Sequence, residues 1–337
     1  MTPRLVTLAL VALLVPVAAI ARPVAREPRP HPERFDGVPS YVRRVRDALV
    51  GLHVRADARA ASSRRLGAER HGTGIVFDPR GYAVTVSYVA MDARRIEART
   101  ASGRTVAAGL VAMDFEHGLA VVQLQEPGPW PAATLGAARD VDEGTLTGSV
   151  GLDEDGALVH ATGRVRAVRR FAASWEYMLE RALFVAPAIE SWGGAALVDE
   201  RGHVVGVLSL RLGGPPHVNL AIPVDGFAAV KDELIAAGRV VSRRPRPWLG
   251  LLTSAEDGAV VVQGVHEGGP AAGAGFRPGD RIVRVNGEAV TSQEHFYRAL
   301  WRGRAGDTVE IAVRRAGREE LIRVRSVDRH DLHAPRP

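Results

Sequence analysis

The chain has no cysteine, and Lys231 is the only lysine among its 44 basic residues. Without cysteine there is no disulfide framework and no lipid attachment site beside the N-terminal apolar segment, so folding depends on apolar cores alone. The near-absence of lysine leaves the net charge of +6 and the pI of about 10.3 to arginine. These arginines are scattered among Asp and Glu rather than massed on one helix, which speaks against a nucleic-acid partner. The apolar run over residues 5–20 is short for a membrane span and contains Pro16. No Gly-Lys-Ser/Thr follows the "GTG", "GGP" or "GAG" clusters, so these read as turn glycines rather than a phosphate loop. No His/Asp/Glu spacing resembles a zinc site, no solenoid-type repeat is present, and no cofactor is expected.

What is present is a chain of 337 residues, long enough for two or three domains, with 46% hydrophobic and 24% charged residues, as in folded proteins. Residues 1–21 read as a secretory signal peptide: one Arg, an apolar run and a small-x-small site at Ala19-Ile20-Ala21. An uncleaved anchor is the alternative, and only that alternative implies a membrane. Residues 22–39 are rich in Pro and charge and read as a tether. A short amphipathic helix is expected over 40–49. From Val50 onward come many short β-rich segments, "VGLHVRA", "GTGIVFD", "YAVTVS", "LAVVQL", "HVVGVLSL" and "VNLAIPV" among them, broken by turns such as "DPRG", "ASGR" and "DEDG". That spacing predicts an all-β sandwich or a pair of barrels. A helix is expected over 226–237, closed by Gly238. The stretch 242–247, "SRRPRP", reads as a linker. Residues 248–327 form a compact module of small-domain size, and 328–337 a tail. Within the module, Thr291 and Glu294 stand at capping-box spacing ahead of a helix over 291–302, with Phe296 and Leu300 on its buried face.

Four segments together resemble the HtrA/Deg family, in which a chymotrypsin-like serine peptidase domain precedes a PDZ domain. "GTGIVFDPRGYAVTVSYVA" is similar to that family's glycine-start strand and the segment carrying its base. "MDFEHGLAVVQL" is similar to its D-x-x-T-D-I-A-V-L-K segment, "GGAALVDERGHVVGV" to its nucleophile strand pair, and "NLAIPVD" to its closing strand. The resemblance covers roughly residues 48–327. It implies a mostly β chain: a chymotrypsin-like double β-barrel over 40–241, followed by a small α+β PDZ domain over 248–327.

The catalytic residues do not carry over. The base histidine falls on Tyr88, the orienting aspartate on Gly118 and the nucleophile on Gly193. Acyl transfer by this route needs a hydroxyl, a base for its proton and a carboxylate to hold the base. Glycine offers no nucleophile, and a phenol near its normal pKa of about 10 is a poor base at neutral pH. The oxyanion-loop glycine falls on Ser191, which tolerates positive φ poorly. A displaced Ser191–His117 pair is the rescue candidate. His71, His160 and His203 are expected at strand ends or on the surface.

The PDZ-like part keeps its pattern. "GGPAAGAGFRPGDRIVRVNGEAV" closely matches that domain's long signature, and Trp248, Leu249, Gly250 and Leu251 resemble its carboxylate-binding loop. The resemblance implies binding of unfolded or C-terminal polypeptide segments by strand addition beside a helix. It also implies a homo-oligomer, a trimer by family habit, and a periplasmic or secreted location. The expected function is a catalytically inactive peptidase homologue in envelope protein quality control or regulation. The alternatives are an active peptidase with a rearranged site and a PDZ scaffold.

Overall fold

The computed structural model describes residues 38–333. The expected signal segment, nearly all of the tether and the end of the tail lie outside the described residues. Among the described residues, no helix is long and apolar enough to cross a membrane.

The chain builds two closed six-stranded antiparallel barrels and then a smaller sheet. The first barrel holds β1 (Leu49–Ala56), β2 (Glu69–Asp78), β3 (Tyr82–Val86), β4 (Ala93–Thr100), β5 (Thr105–Asp114) and β6 (Leu119–Leu124), in the order β1-β2-β3-β6-β5-β4. The second holds β7 (Leu146–Leu152), β8 (Leu158–Ala173), β9 (Tyr177–Ala186), β10 (Ala196–Val198), β11 (Val204–Leu212) and β12 (Val218–Pro223), in the order β10-β11-β12-β9-β8-β7. Closure removes every strand edge, so backbone donors and acceptors are satisfied without covering layers. Alternation along the strands aims Leu52 and Val54 inward, and with Ile75, Val84, Leu119 and Val121 they form the apolar core. A second cluster, with Leu183, Leu197 and Leu208, fills the other barrel.

The expected N-terminal helix ends earlier than the sequence suggests: α1 is Ser40–Arg46, and Leu49 already belongs to β1. The short α2 (Ala61–Leu66) and α3 (Ser87–Ala90) interrupt the first barrel. The helix expected over 226–237 is α4 (Asp225–Ala237), with Phe227, Val230 and Leu234 buried at helical spacing. Gly238 closes it at φ +71°, donating to Leu234 O, as its place in the sequence implied.

The C-terminal part contains β13 (Leu251–Glu256), β14 (Ala259–Val265), α5 (Pro270–Gly273), β15 (Arg281–Val285), β16 (Glu288–Ala289), α6 (Gln293–Leu300), β17 (Thr308–Arg315), β18 (Arg318–Arg325) and α7 (His330–His333). Its cap corrects the sequence reading: Ser292, not Thr291, is the N-cap of α6 and accepts the His295 N–H at 3.1 Å. The register slips by one because Ser292 keeps an extended backbone (φ −152°) and starts the helix at Gln293. Phe296 and Leu300 are fully buried, as expected. The core of this part also takes in Met178 from β9.

Candidate functional site

Where the barrels meet, residues of β1, β2, β4 and α3 face the end of β7 and the loop before β10 across a cleft of about 430 Å³. Thr73 joins the two sides. Its N–H donates to Gly193 O at 2.8 Å, and its hydroxyl accepts the Leu152 N–H at 3.0 Å. Gly194 is required by this approach: it has φ +84°, and a Cβ there would lie 2.0 Å from Thr73 O.

The three positions singled out from the sequence are placed as follows. A Cβ on Gly193 would lie 3.2 Å from the Tyr88 hydroxyl, so the residues expected at the nucleophile and base positions do face each other. Tyr88 spends its hydroxyl on a structural bond, donating to Ser209 O at 2.7 Å and joining α3 to β11. Burial pushes its phenol well above the usual tyrosine range, so it holds its proton. Gly118 has φ +75°, and the space a side chain there would enter is filled by Tyr177, whose hydroxyl oxygen lies 2.9 Å from the Cβ position. The Tyr177 hydroxyl donates to His117 O at 2.7 Å.

Ser191 lines the cleft with a negative φ, since it is not among the positive-φ residues. His117 does not line it. Its Nδ1–H donates to Asp114 at 2.6 Å, and its Nε2 points at Gly226 in α4, 2.3 Å from that residue's Cβ position. The structure therefore does not bring Ser191 and His117 together, because the imidazole is committed to Asp114 and α4. Burial works against the Asp114 charge, but the His117 hydrogen bond and the nearby Arg243 outweigh it and hold the carboxyl below its usual range. The histidines in the cleft are His53 and His71, stacked at 4.7 Å between ring centroids, with His53 bonded to Glu69 at 2.6 Å. Among the described residues no serine or threonine hydroxyl hydrogen-bonds a histidine ring, and no cluster of His, Asp and Glu is arranged to hold a metal. Among the described residues the cleft holds no assembled nucleophile–base pair.

The second site is the loop at Trp248, Leu249, Gly250 and Leu251. Leu249 and Leu251 are essentially unexposed and belong to the same apolar cluster as Met178. Gly250 stands at φ +80°, and its Cβ position abuts the Trp248 ring at 3.0 Å. The backbone N–H groups of Leu249 and Leu251 converge on one carboxylate, that of Glu176 at the tip of the β8–β9 hairpin, at 3.0 and 2.6 Å. Beside it Thr253 N–H donates to Ser174 O at 2.8 Å, and Tyr297 and Gln293 of α6 donate to Ala173 O at 2.5 and 3.1 Å. Burial pushes the Glu176 carboxyl up to about 7, against the loop N–H groups and the Arg329 charge, which pull it down. Sequence reasoning missed Glu176, Gln293 and Tyr297. The only local signal was an acidic residue between two aromatics, "WEY", where a hairpin tip would ordinarily be polar.

Comparison with known proteins adds to this geometry. The trypsin-like peptidase domain pattern matches residues 72–207, and the PDZ domain pattern matches residues 247–325. The chain is similar to "Serine protease Do-like HtrA" of Lactobacillus helveticus, 25% identical over 80% of this chain and 71% of that protein. It is 26% identical to "Serine endoprotease DegS" of Escherichia coli K12, over 84% of this chain and 83% of that one. It is 29% identical to "Probable periplasmic serine endoprotease DegP-like" of Hahella chejuensis, over 76% of this chain but 57% of that one. Among solved structures, "HtrA-type protease AlgW with decapeptide" superposes with a TM-score of 0.55 at 23% identity, over 88% of this chain and 98% of the other, a likeness of fold.

Proposed function

The chain belongs to the HtrA/Deg-like family, a trypsin-like peptidase domain followed by a PDZ domain, and from that premise we propose that it is a member without peptidase chemistry that binds polypeptide C-termini. One observation carries the first half. The loop before β10 offers Gly193 to the cleft, and what faces it is a tyrosine hydroxyl already donated to Ser209 O at 2.7 Å. Without a hydroxyl at 193, a base at 88 or a carboxylate at 118, the tetrahedral intermediate of acyl transfer has no attacking group and no proton acceptor. The second half rests on the loop N–H groups of Leu249 and Leu251, which already receive a carboxylate. A peptide C-terminus offers the same charge-assisted acceptor together with an extended backbone.

The protein so read works in the periplasm or outside the cell, as a trimer by family habit, holding unfolded or C-terminal segments in protein quality control or regulation. Purified protein is expected neither to cleave casein nor to be labelled by a fluorophosphonate. Labelling that disappears in Ser191→Ala would overturn this reading and make Ser191 the nucleophile of a rearranged peptidase. Amidation of a peptide C-terminus should weaken its binding; equal binding of free and amidated peptides would leave the domain an assembly element.

A further inference from the structure

The β8–β9 hairpin is longer than the barrel needs, and its tip leaves the barrel to lie in the groove between β13 and α6. Three features of a bound peptide are reproduced there by the chain itself. Glu176 supplies the carboxylate to the loop N–H groups, at 2.6 Å from Leu251 and 3.0 Å from Leu249. Ser174 supplies a strand-edge acceptor to Thr253 N–H at 2.8 Å. Met178, just past the tip, supplies an apolar side chain to the core of the C-terminal part. The tip is held there at a conformational cost, because Glu176 sits at φ +53°, a region that costs a non-glycine residue free energy unless its surroundings impose it.

We infer that the peptide groove is self-ligated: the Glu176 carboxylate is the resident ligand of the Leu249–Leu251 loop, and an incoming free C-terminus binds by displacing the hairpin tip. The inference rests on the proposed reading of that loop as a carboxylate site and adds its internal competitor. The competitor is tethered, so its effective concentration is fixed and an external peptide competes with it at every protein concentration. The apparent affinity for a free C-terminus is reduced by the fraction of molecules in which the tip is undocked.

Two measurements on the full chain test it. The first is hydrogen exchange of the Leu249 and Leu251 amides without peptide. Glu176→Ala should speed both by about tenfold or more, as expected for the loss of a buried hydrogen-bond acceptor. Glu176→Gln, which keeps a neutral acceptor, should fall between. Glu310→Ala, which removes a pair with Arg323 in the β17–β18 ladder away from the groove, should leave both amides unchanged. Unchanged exchange in Glu176→Ala would overturn the inference. The second is fluorescence polarisation with a library of labelled decapeptides bearing free C-termini and with its amidated twin. Free peptides should bind Glu176→Ala about tenfold or more tighter than wild type. Equal affinity for both proteins would sink self-ligation and leave C-terminal binding standing. Faster amide exchange in a variant that binds no free C-terminus would support self-ligation and remove the C-terminal reading instead.

Discussion

Gly118 and Gly193 differ in what an introduced side chain would meet. At 193 the backbone is not in the left-handed region, and the nearest neighbour of a new Cβ is the Tyr88 hydroxyl at 3.2 Å, so a serine fits with small adjustment. At 118 the backbone is left-handed at φ +75°, and a Cβ lands 2.9–3.1 Å from the Tyr177 phenol. Gly193→Ser alone should therefore fold normally and still give no turnover, since its nearest polar neighbour is a phenol that keeps its proton. Gly118→Asp should lose about 2 kcal/mol or more of stability from strain and overpacking together. Urea denaturation of the two single variants checks this: equal midpoints would show that Tyr177 yields easily. Gly250→Glu, the obvious way to block the carboxylate loop, is a poor probe for the same kind of reason. Its Cβ would strike Trp248 from a left-handed backbone, so lost binding would report lost structure.

At the scale of elements, the hairpin tip carries a pH dependence. The docked Glu176 carboxyl titrates at about 7 against an ordinary 4.5, raised first by burial. The groups facing it are Tyr297 of α6, itself raised by burial and holding its proton, and Arg329 of the tail, lowered to about 10 and still cationic at neutral pH. A folded-state pKa above the undocked one means that docking takes up a proton. Its stabilisation is complete below about pH 4.5 and is lost as the pH rises through about 7. Exchange of the Leu249 and Leu251 amides should thus quicken relative to intrinsic rates between pH 5 and pH 8 in wild type, by an amount greatly reduced in Glu176→Gln. A slope that persists in Glu176→Gln would assign the effect to another group. The strands, their turns, α4 and its glycine cap were legible in the sequence because each is specified by neighbours: period-two alternation, turn glycines, a closing Gly238. The Glu176 contact was not, since it joins residues 73 positions apart and depends on how far a hairpin projects. The α6 cap misled because Thr291 and Ser292 both suit the role, and only the backbone at Ser292 decides between them.

For the whole molecule, the barrels and the C-terminal sheet are joined by packing as well as by charge. Arg170 and Arg298 pair with Glu294 and Glu180 across the hairpin and α6, at 2.8 and 2.7 Å, but these pairs are largely solvated and contribute little each. The apolar link is stronger: Met178 of β9 is buried in the same cluster as Leu249, Phe296 and Leu300. Wild-type protein should therefore unfold in one step, with near- and far-UV circular dichroism transitions that coincide in urea. Two separated transitions would mean that the hairpin does not couple the two parts. The adjacency of Glu176 and Tyr177 has a consequence of another kind, for how substitutions combine. Neighbouring residues on one turn occupy the loop N–H groups of Leu249 and Leu251 and the space beside Gly118. An aspartate placed at 118 collides with Tyr177, and a change that withdraws Tyr177 disturbs the seat of Glu176 beside it. Substitutions at 118 and at 177 are therefore coupled, and neither can be read apart from the other.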